Sequence, residues 1–173
     1  EMGRVFKVIK IGTDVTKQSM LNAENAAKLS AIDKTQAVIE FNLDGSIITA
    51  NGNFTSTVGY DLRELEGKHH RIFCNPDFAS SNEYRDMWDR LRAGQSVTGE
   101  FQRFGKGGRE IWIQASYNPI FDLSGKPFKV VKYAYDISSL KKMIASVEET
   151  ATALSAASSE LTATATEMSS TSA

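Results

Sequence analysis

Cysteine is nearly absent from this chain of 173 residues, in which Cys74 stands alone. An intrachain disulfide is therefore excluded, and no group of cysteines and histidines has the spacing of a structural zinc site. Charge of either sign is not in excess, since 20 Lys and Arg residues face 21 Asp and Glu residues. Proteins that bind the phosphate backbone gather Lys and Arg on one face, so we expect no nucleic acid partner.

Long apolar runs are also missing. No segment approaches the roughly 20 apolar residues that a helix needs to span a bilayer. The first residues, Glu1-Met2-Gly3-Arg4, have no signal-peptide pattern. Together with the single cysteine, this predicts a cytoplasmic chain, whose parent protein is soluble or lies on the cytoplasmic side of a membrane.

Sequence motifs of catalysis are absent as well. We find no Gly-rich phosphate loop, no Gly-x-Ser-x-Gly and no phosphoacceptor segment of a histidine kinase. The run Gly105-Lys106-Gly107-Gly108 is better explained as a hairpin turn than as a phosphate site. We therefore predict that the chain is not an enzyme.

Glycine and proline disappear from the last part of the chain, after Gly125 and Pro127. Residues 145–173 consist mostly of Ala, Ser and Thr, a composition that also suits a flexible tail. Periodicity favours a helix, because apolar and small residues recur at alternating spacings of four and three, the heptad pattern of a coiled coil. These seam positions are Leu140, Ile144, Val147, Ala151, Leu154, Ser158, Leu161, Ala165 and Met168. Ala and Ser make the seam thin, so the helix needs a closely packed partner, and we expect a homodimer.

Two segments of the chain, residues 6–16 and 128–138, are similar to each other. Each has the pattern of a strand followed by Asp and a hydroxyl residue that can cap a helix. The repeat predicts that residues 1–16 are the last strand of a preceding domain and that residues 17–34 form a linker helix. Residues 35–138 then form one complete domain.

The complete domain has the pattern of two strands, three helical pieces and three strands. The first two strands flank a turn at Leu43-Asp44-Gly45, and Asn51 can cap the helix that follows. Apolar residues then recur on one face of a helix that begins at Ser80 or Ser81; they are Tyr84, Met87, Trp88 and Leu91. The predicted strands are residues 37–42, 46–50, 97–104, 110–121 and 127–137. This order predicts an α+β fold, a five-stranded antiparallel sheet with helices on one face, followed by a long coiled-coil helix.

This order of elements resembles the PAS domain over about residues 35–138. The resemblance rests on Asp44-Gly45, on Ala50-Asn51, on Gly59-Tyr60 and on the closing segment from Asn118 to Ser138. Within the family, residues 67–74 and 112–119 are most similar to tandem PAS domains joined to methyl-accepting chemotaxis proteins. The helix of residues 139–173 is similar to the start of a chemoreceptor signalling helix.

The resemblance implies a sensory module of a chemotaxis receptor, which detects redox state, oxygen or a small ligand in a pocket between helices and sheet. It also implies a homodimer formed by the PAS domain and the coiled-coil helix. A chemotaxis adaptor and kinase would bind through a downstream signalling domain. Two alternatives stay open: a cofactor-free PAS dimerisation module, and the sensor domain of a kinase or nucleotide cyclase.

Haem b is the cofactor that the resemblance and the histidines favour. His69 and His70 are the only histidines, and they lie in the segment that walls the pocket of PAS domains with flavin or haem. Imidazole is the usual proximal ligand of such a haem, so we predict that one of the two faces the pocket, with His70 as the candidate iron ligand. The alternative is that both are solvated loop residues. Cys74 is a further cofactor-binding candidate, or else a buried thiol that packs as a small hydrophobe.

FAD is the alternative cofactor, and an empty pocket is the third choice. Light-sensing flavin PAS domains resemble Gly-x-Asn-Cys-Arg-Phe in this segment, where His70 takes the place of the Cys, so a flavin–thiol adduct cannot form. The side chains predicted to stack on a noncovalent flavin are Trp88, Trp112 and Tyr117. The alternative is that these aromatics pack in the core or in a dimer contact.

Two further sites are predicted where the domain joins its output helix. Asp136, at the start of that helix, is the candidate for signal transmission from the last strand. Glu148 and Glu149, flanked by Ala, Ser and Thr, resemble chemoreceptor methylation sites, where modification removes charge from the helix. The alternative is that both are ordinary solvated glutamates.

Overall fold

The computed structural model describes residues 16–171, with side chains through residue 165. The strand predicted for residues 1–16 lies outside these residues, apart from Thr16, which begins α1 (Thr16–Thr35). This helix forms where the sequence predicted one over residues 17–34, it buries none of its side chains, and Lys28 pairs with Glu24 one turn away at 2.6 Å. Its role as a linker stays a prediction.

The rest of the described chain forms the predicted sheet and its helices. The strands are β1 (Ala37–Asn42), β2 (Ile47–Ala50), β3 (Val97–Phe104), β4 (Glu110–Phe121) and β5 (Pro127–Asp136). The helices are α2 (Gly52–Val58), α3 (Leu62–Leu65), α4 (Pro76–Ser80), α5 (Asn82–Arg92) and α6 (Ser138–Thr171). All neighbouring strands are antiparallel, in the order β2-β1-β5-β4-β3, which confirms the predicted fold.

The segment between the two hairpins holds more helix than the sequence predicted. Four helices, α2 to α5, stand where three pieces were expected, and a 3₁₀ turn at His70–Phe73 precedes α4. Helix α4 is only five residues long, and it forms because Asn75 accepts a hydrogen bond from the Asp77 N–H while Pro76 occupies the first helical position. Such a short element has no apolar periodicity for a sequence pattern to detect.

One face of the sheet is buried beneath the helices. Alternate residues of the strands point to this face, as in Ile111, Ile113, Ala115 and Tyr117 of β4, because side chains of a strand alternate between the two faces. The predicted stripe of α5 is buried against it and consists of Tyr84, Met87, Trp88 and Leu91. The 3₁₀ turn packs against this core, where the His70 ring contacts Phe41 of β1 and Tyr117 of β4.

Helix α6 begins directly at the end of β5. Ile137 N donates to Trp112 O of β4 at 2.8 Å, and Ser138 Oγ accepts from Trp112 N at 2.9 Å. Asp136 Oδ1 accepts from Ser138 N at 2.8 Å, which satisfies one free N–H at the start of the helix. The first turn of α6 is therefore tied to two strands.

The described part of α6 exposes its predicted seam. Leu140, Ile144, Val147, Leu154 and Leu161 have 44 to 75% of their surface accessible in the single chain. Between residues 16 and 171, none of the helices combines the length and the apolar character needed to cross a bilayer. An apolar seam with this exposure is what a second helix would cover.

Candidate functional site

Three basic side chains lie in the core of the described residues: His70, Arg103 and Lys132 are only 0%, 4% and 1% exposed. They come from the 3₁₀ turn, β3 and β5. Tyr84 of α5 and Tyr117 of β4 lie among them, and the five residues are called the inner cluster below. Polar groups in a core need partners, so the contacts of this cluster show what it can do.

The strand register brings the cations of the inner cluster to the buried face. Lys132 lies between Val130 and Ala134, which point inward, and it pairs with Tyr117 of β4. Arg103 of β3 also points to the buried face, and it pairs with Ile111 of β4. Both side chains are buried because the period of a strand is two, although Lys and Arg are usually exposed.

The 3₁₀ turn is held against the first hairpin. His70 N donates to Gly45 O at 2.8 Å, and Ser46 forms an antiparallel bridge with His69. Gly45 has a φ of +89°, and a Cβ at this position would lie 2.7 Å from His69 Nε2. A glycine is therefore required where the hairpin meets the imidazole.

The outer histidine has a fixed tautomer. His69 Nε2 lies 2.7 Å from Asp44 O, and since a carbonyl only accepts, Nε2 carries the proton. Nδ1 of this ring then accepts, and Arg71 N donates to it at 3.2 Å. Burial and the nearby Arg71 lower the pKa of His69, which favours the neutral ring.

A chain of hydrogen bonds links His70 to two tyrosines in the core. Arg103 Nη2 donates to Tyr117 Oη at 3.4 Å, which leaves the Tyr117 hydroxyl proton for His70 Nε2 at 3.0 Å. His70 Nδ1 then carries the ring proton and donates to Tyr84 Oη at 3.0 Å. Tyr84 Oη in turn lies 3.4 Å from His69 Nδ1, the nitrogen that accepts from Arg71 N.

The inner cluster keeps His70 neutral. Burial is the main cause that holds the pKa of His70 well below its usual value, and the charges of Arg103 and Lys132 lower it further. Burial also lowers the pKa of Lys132. Burial alone would raise the pKa of Tyr117, but Lys132 and Arg103 together outweigh it and lower that pKa.

No carboxylate is buried with these cations in the part of the chain whose side chains are described. Arg103 donates to Gln102 O at 2.8 Å and to Tyr117 Oη at 3.4 Å, and its guanidinium lies 4.8 Å from the centre of the Phe101 ring. Its Nε is buried without a hydrogen-bond partner. Lys132 Nζ lies 4.9 Å from the centre of the Tyr117 ring. Aromatic faces and neutral oxygens are thus the surroundings of both charges.

A small cavity separates Arg103 and Lys132 from helix α2. Its volume is about 10 Å³, room for about one water molecule. Its walls include Phe54, Thr57, Phe73, Arg103, Lys132 and Asp136. Because Asp136 is exposed and Lys132 is fully buried, the cavity leads from the core to the start of α6.

Neither haem nor flavin fits the core as it is packed here. Both ring nitrogens of His70 are bonded to tyrosine hydroxyls, so neither is free for iron. Sites for ligands of this size have several hundred Å³, far more than the inner cavity. Burial raises the pKa of the Cys74 thiol, whose Sγ lies 3.8 Å from His70 Nδ1, which disfavours a thiolate ligand. A cofactor would therefore need His70 to leave its tyrosines and the helices to move.

The structure brings most of the predicted site residues together. His70, Cys74, Trp88 and Tyr117 are all buried, and the ring centres of Trp88 and His70 are 5.6 Å apart. The alternative in which both histidines are solvated is wrong for His70, because the 3₁₀ turn directs it into the core. His69 lies at the rim.

The other predicted residues lie elsewhere. Trp112 is on the opposite face of the sheet, where its Nε1 donates to Glu110 at 2.7 Å, and it does not reach the inner cluster. Asp136 lies in the cavity wall. Glu148 and Glu149 are exposed on α6.

Sequence reasoning missed Arg103 and Lys132 as site residues, and it treated Tyr84 only as part of an apolar stripe. The available signal was the strand alternation, since Val130, Lys132 and Ala134 share one face of β5. The alternation of a strand does not by itself show which of its two faces is buried. A lysine on one face is therefore buried or in solvent depending on which face packs against the helices.

An outer cleft of about 420 Å³ lies between the first hairpin and α5. Three arginines and one carboxylate lie in its wall with His69 and Trp88; these charged residues are Arg71, Arg85, Arg92 and Asp44. Arg92 is already bound to Asp89 and to Leu43 O. The cleft and the inner cavity are thus two separate places where cations gather.

Comparison with known proteins agrees with this fold. A family model described as PAS fold matches residues 47–134, and the chain belongs to the PAS family. The chain is 43% identical over 136 residues to the biofilm dispersion protein BdlA of Pseudomonas aeruginosa, a match that covers 79% of this chain and 33% of BdlA. It is 29% identical over 106 residues to the aerotaxis receptor of Escherichia coli, a match that covers 61% of this chain and 19% of the receptor.

The chain thus spans a third or less of these curated relatives. Among solved structures, it is similar to the PAS domain of a protein from Colwellia psychrerythraea, with a TM-score of 0.60 and 20% sequence identity. The match covers 67% of this chain and 98% of that domain, and it bears on the fold alone.

Proposed function

We propose that this chain is the cytoplasmic sensory PAS module of a chemotaxis receptor, in which a change in the core is passed to the helix α6. The observation that carries the proposal is the position of Asp136. This residue lines the inner cavity and its carboxylate holds Ser138 N, at the first turn of α6. A change of volume or charge in the cavity therefore acts on the residue that begins the helix.

The kind of receptor is inferred from the relatives. BdlA is named for biofilm dispersion and the aerotaxis receptor for its response to air, and both are similar to the PAS part of this chain. The Ala-, Ser- and Thr-rich helix α6 is compatible with a chemoreceptor signalling helix. A chemotaxis adaptor and kinase are then the downstream partners, and Glu148 and Glu149 are exposed where a methyltransferase could reach them.

The signal we propose is redox state, oxygen or a small ligand. Haem b or FAD would require a rearranged core, since His70 is bonded on both sides. An absorption spectrum from about 300 to 700 nm, taken before and after reduction of the chain purified from haem-supplemented cells, separates these cases. A Soret band that moves on reduction indicates haem, bands near 370 and 450 nm indicate flavin, and a featureless spectrum leaves a colourless ligand.

Substitution of Asp136 tests the coupling. Asp136→Ala removes the acceptor for Ser138 N, whereas Asp136→Asn keeps an acceptor and removes the charge. The full-length protein would be expressed in a swimming bacterium that lacks its own energy-taxis receptors, and reversals would be recorded after steps in oxygen. We expect Asp136→Ala to abolish the response while the spectrum stays unchanged and the protein stays folded, with a loss of no more than about 2 kcal/mol in the free energy of unfolding.

Asp122 provides the matched control for this experiment. Its Oδ1 accepts from Ser124 N at 2.8 Å, the same type of bond two residues along the chain, but it lies in the β4–β5 turn. Asp122→Ala should leave the response intact. A normal response of the Asp136→Ala protein would contradict the proposed coupling.

A second candidate function is a cofactor-free dimerisation module, which the exposed seam of α6 favours. Leu154 and Leu161 are 70% and 75% exposed in one chain. Leu161→Glu should convert a dimer to a monomer in sedimentation experiments, whereas Thr162→Glu, one position off the seam, should not. If the wild-type protein dimerises but Asp136→Ala leaves signalling intact, the dimerisation function is the better description.

A further inference from the structure

We propose that the inner cavity binds the carboxylate group of a short-chain monocarboxylic acid, with Arg103 and Lys132 as its counter-charges. This inference rests on the proposed sensory function and names the ligand class of the same site. It is carried by two buried cations, by an unpartnered nitrogen on one of them and by the cavity that both of them line.

Arg103 and Lys132 place positive charge in the core. A guanidinium stays protonated in proteins, so Arg103 brings a full positive charge into the core. Lys132 lies in the wall of the same cavity, and no Asp or Glu among the residues with described side chains is buried with them. Cations in a protein interior are normally paired with an anion, because removal from water is costly. The carboxylate of Asp136 is in the cavity wall, but it is exposed and bonded to Ser138 N, so the two buried cations lack a buried anion among the described residues.

The hydrogen bonds of Arg103 leave one of its nitrogens without a partner. Arg103 Nη1 and Nη2 are bonded to Gln102 O and Tyr117 Oη, while the buried Nε has no partner. With both Nη groups bonded to protein oxygens, this guanidinium offers a single N–H and not the two-point fork that usually binds a carboxylate. The Nε–H is thus a donor left for one carboxylate oxygen, and Lys132 supplies a second charge on the same cavity.

The other residues that line the cavity indicate what is attached to the carboxylate. Apart from the two cations, Thr57 and Asp136, the wall consists of apolar side chains, among them Phe54 and Phe73. Phosphate or sulfate would place charged oxygens against these rings, whereas the methyl or ethyl group of acetate or propionate would bury apolar surface there. The lining therefore favours a monocarboxylate with a short apolar chain.

The size of the cavity links binding to the signal. A volume of about 10 Å³ admits one water, so acetate enters only if the wall formed by α2 moves outward. Asp136 lies in the wall of the same cavity, where a bound carboxylate also repels its like charge. Both effects act on the residue that holds the first turn of α6.

The test is titration of the intact chain with sodium acetate and sodium propionate, in a buffer without carboxylates and at constant ionic strength. Isothermal titration calorimetry gives the affinity, and the ¹⁵N spectrum of the arginine Nε–H groups identifies the binding partner. We expect saturable binding, a shift of the Arg103 Nε–H signal, and affinity at least about tenfold weaker in Arg103→Gln and in Lys132→Met. Thermal unfolding checks that both variants are folded.

Arg71→Gln is the matched control, because Arg71 is an exposed arginine in the wall of the outer cleft. It should bind acetate as the wild-type protein does. Loss of binding in Arg71→Gln with binding kept in Arg103→Gln would assign the site to the outer cleft and overturn the proposal. If chloride competes with acetate as well as propionate does, the cavity binds anions in general and the proposed ligand class is wrong. If neither acetate nor propionate binds, the proposal is also refuted.

Failure here and failure of the proposed function are distinguishable. If acetate does not bind but Asp136→Ala abolishes the swimming response, only the ligand class is wrong. If acetate binds through Arg103 but Asp136→Ala leaves the response intact, the cavity is a ligand site and the coupling to α6 is wrong.

Discussion

Tyr117 Oη and His70 Nε2 lie 3.0 Å apart in the core, and the hydroxyl donates to the ring. The direction of this bond follows from Arg103, whose Nη2 donates to the same hydroxyl at 3.4 Å. A buried cation thus determines which nitrogen of the histidine carries the proton. The bond also explains how a histidine can be fully buried and neutral without a carboxylate.

Removal of this bond should destabilise the domain. Tyr117→Phe leaves His70 Nε2 without a donor and Arg103 Nη2 without an acceptor, so we expect a loss of about 1–3 kcal/mol in the free energy of unfolding. Urea denaturation measures the change. Tyr135→Phe is the control, since its hydroxyl is exposed and accepts from Gln36, and its loss should cost less than about 0.5 kcal/mol. Equal losses in the two variants would contradict the buried hydrogen bond.

Stability should decrease as pH falls below about 6.5. The folded state keeps His70 neutral, while the unfolded chain binds a proton at the usual pKa of histidine, so the unfolded state takes up more protons below that pH. The expected slope is up to about 1.4 kcal/mol per pH unit for this histidine. His70 is faced by Tyr84 from α5, Tyr117 from β4, Arg103 from β3, Lys132 from β5 and its neighbour His69.

Unfolding free energies measured between pH 5 and 7 check this slope. Asp44, Glu64 and Asp122 do not interfere, because their pKa values are lowered and they titrate below this pH range. His70→Gln should flatten the slope, and His69→Gln should change it less, since His69 is only partly buried. An unchanged slope in His70→Gln would show that other groups carry the pH dependence.

The sheet of this domain was largely predictable from its sequence, whereas the inner cluster was not. Turn residues such as Gly45 and Gly125 and the α5 stripe gave the hairpins and the apolar helix face, because these features depend on local geometry. The burial of Arg103 and the partners of His70 depend on which strands and turns meet. Those contacts join residues far apart in sequence, for which no local pattern exists.

Replacement of the buried lysine should stabilise the domain in the absence of a ligand. Lys132→Met keeps the volume and removes a cation that has no buried carboxylate among the described residues, so we expect a gain of about 1 kcal/mol in the free energy of unfolding. Lys129→Met is the control: it breaks the half-buried ion pair with Glu40 and should cost up to about 1 kcal/mol. A loss above about 2 kcal/mol in Lys132→Met would show that the lysine has an anionic partner.

Gly45 should be far less replaceable than Gly125. Both have a positive φ in a hairpin turn, but a Cβ on Gly45 meets His69 Nε2 at 2.7 Å and Trp88 Cζ2 at 3.1 Å, whereas a Cβ on Gly125 meets nothing within 4 Å. We expect Gly125→Ala to cost about 1 kcal/mol and Gly45→Ala about 2–4 kcal/mol in unfolding free energy. Chemical denaturation of both variants gives the comparison, and similar values would argue against the tight contact at His69.

The direct junction of β5 with α6 has a consequence for distance. Only Ile137 separates strand from helix, and its N–H is bonded to β4, so no flexible segment absorbs a change of angle there. A helix of 34 residues is about 50 Å long. A tilt of about 5° at its base therefore displaces the far end sideways by about 4 Å, nearly half the distance between the axes of two packed helices. A displacement at the base that is smaller than a water molecule would thus become large enough at the far end to change how another helix packs against α6.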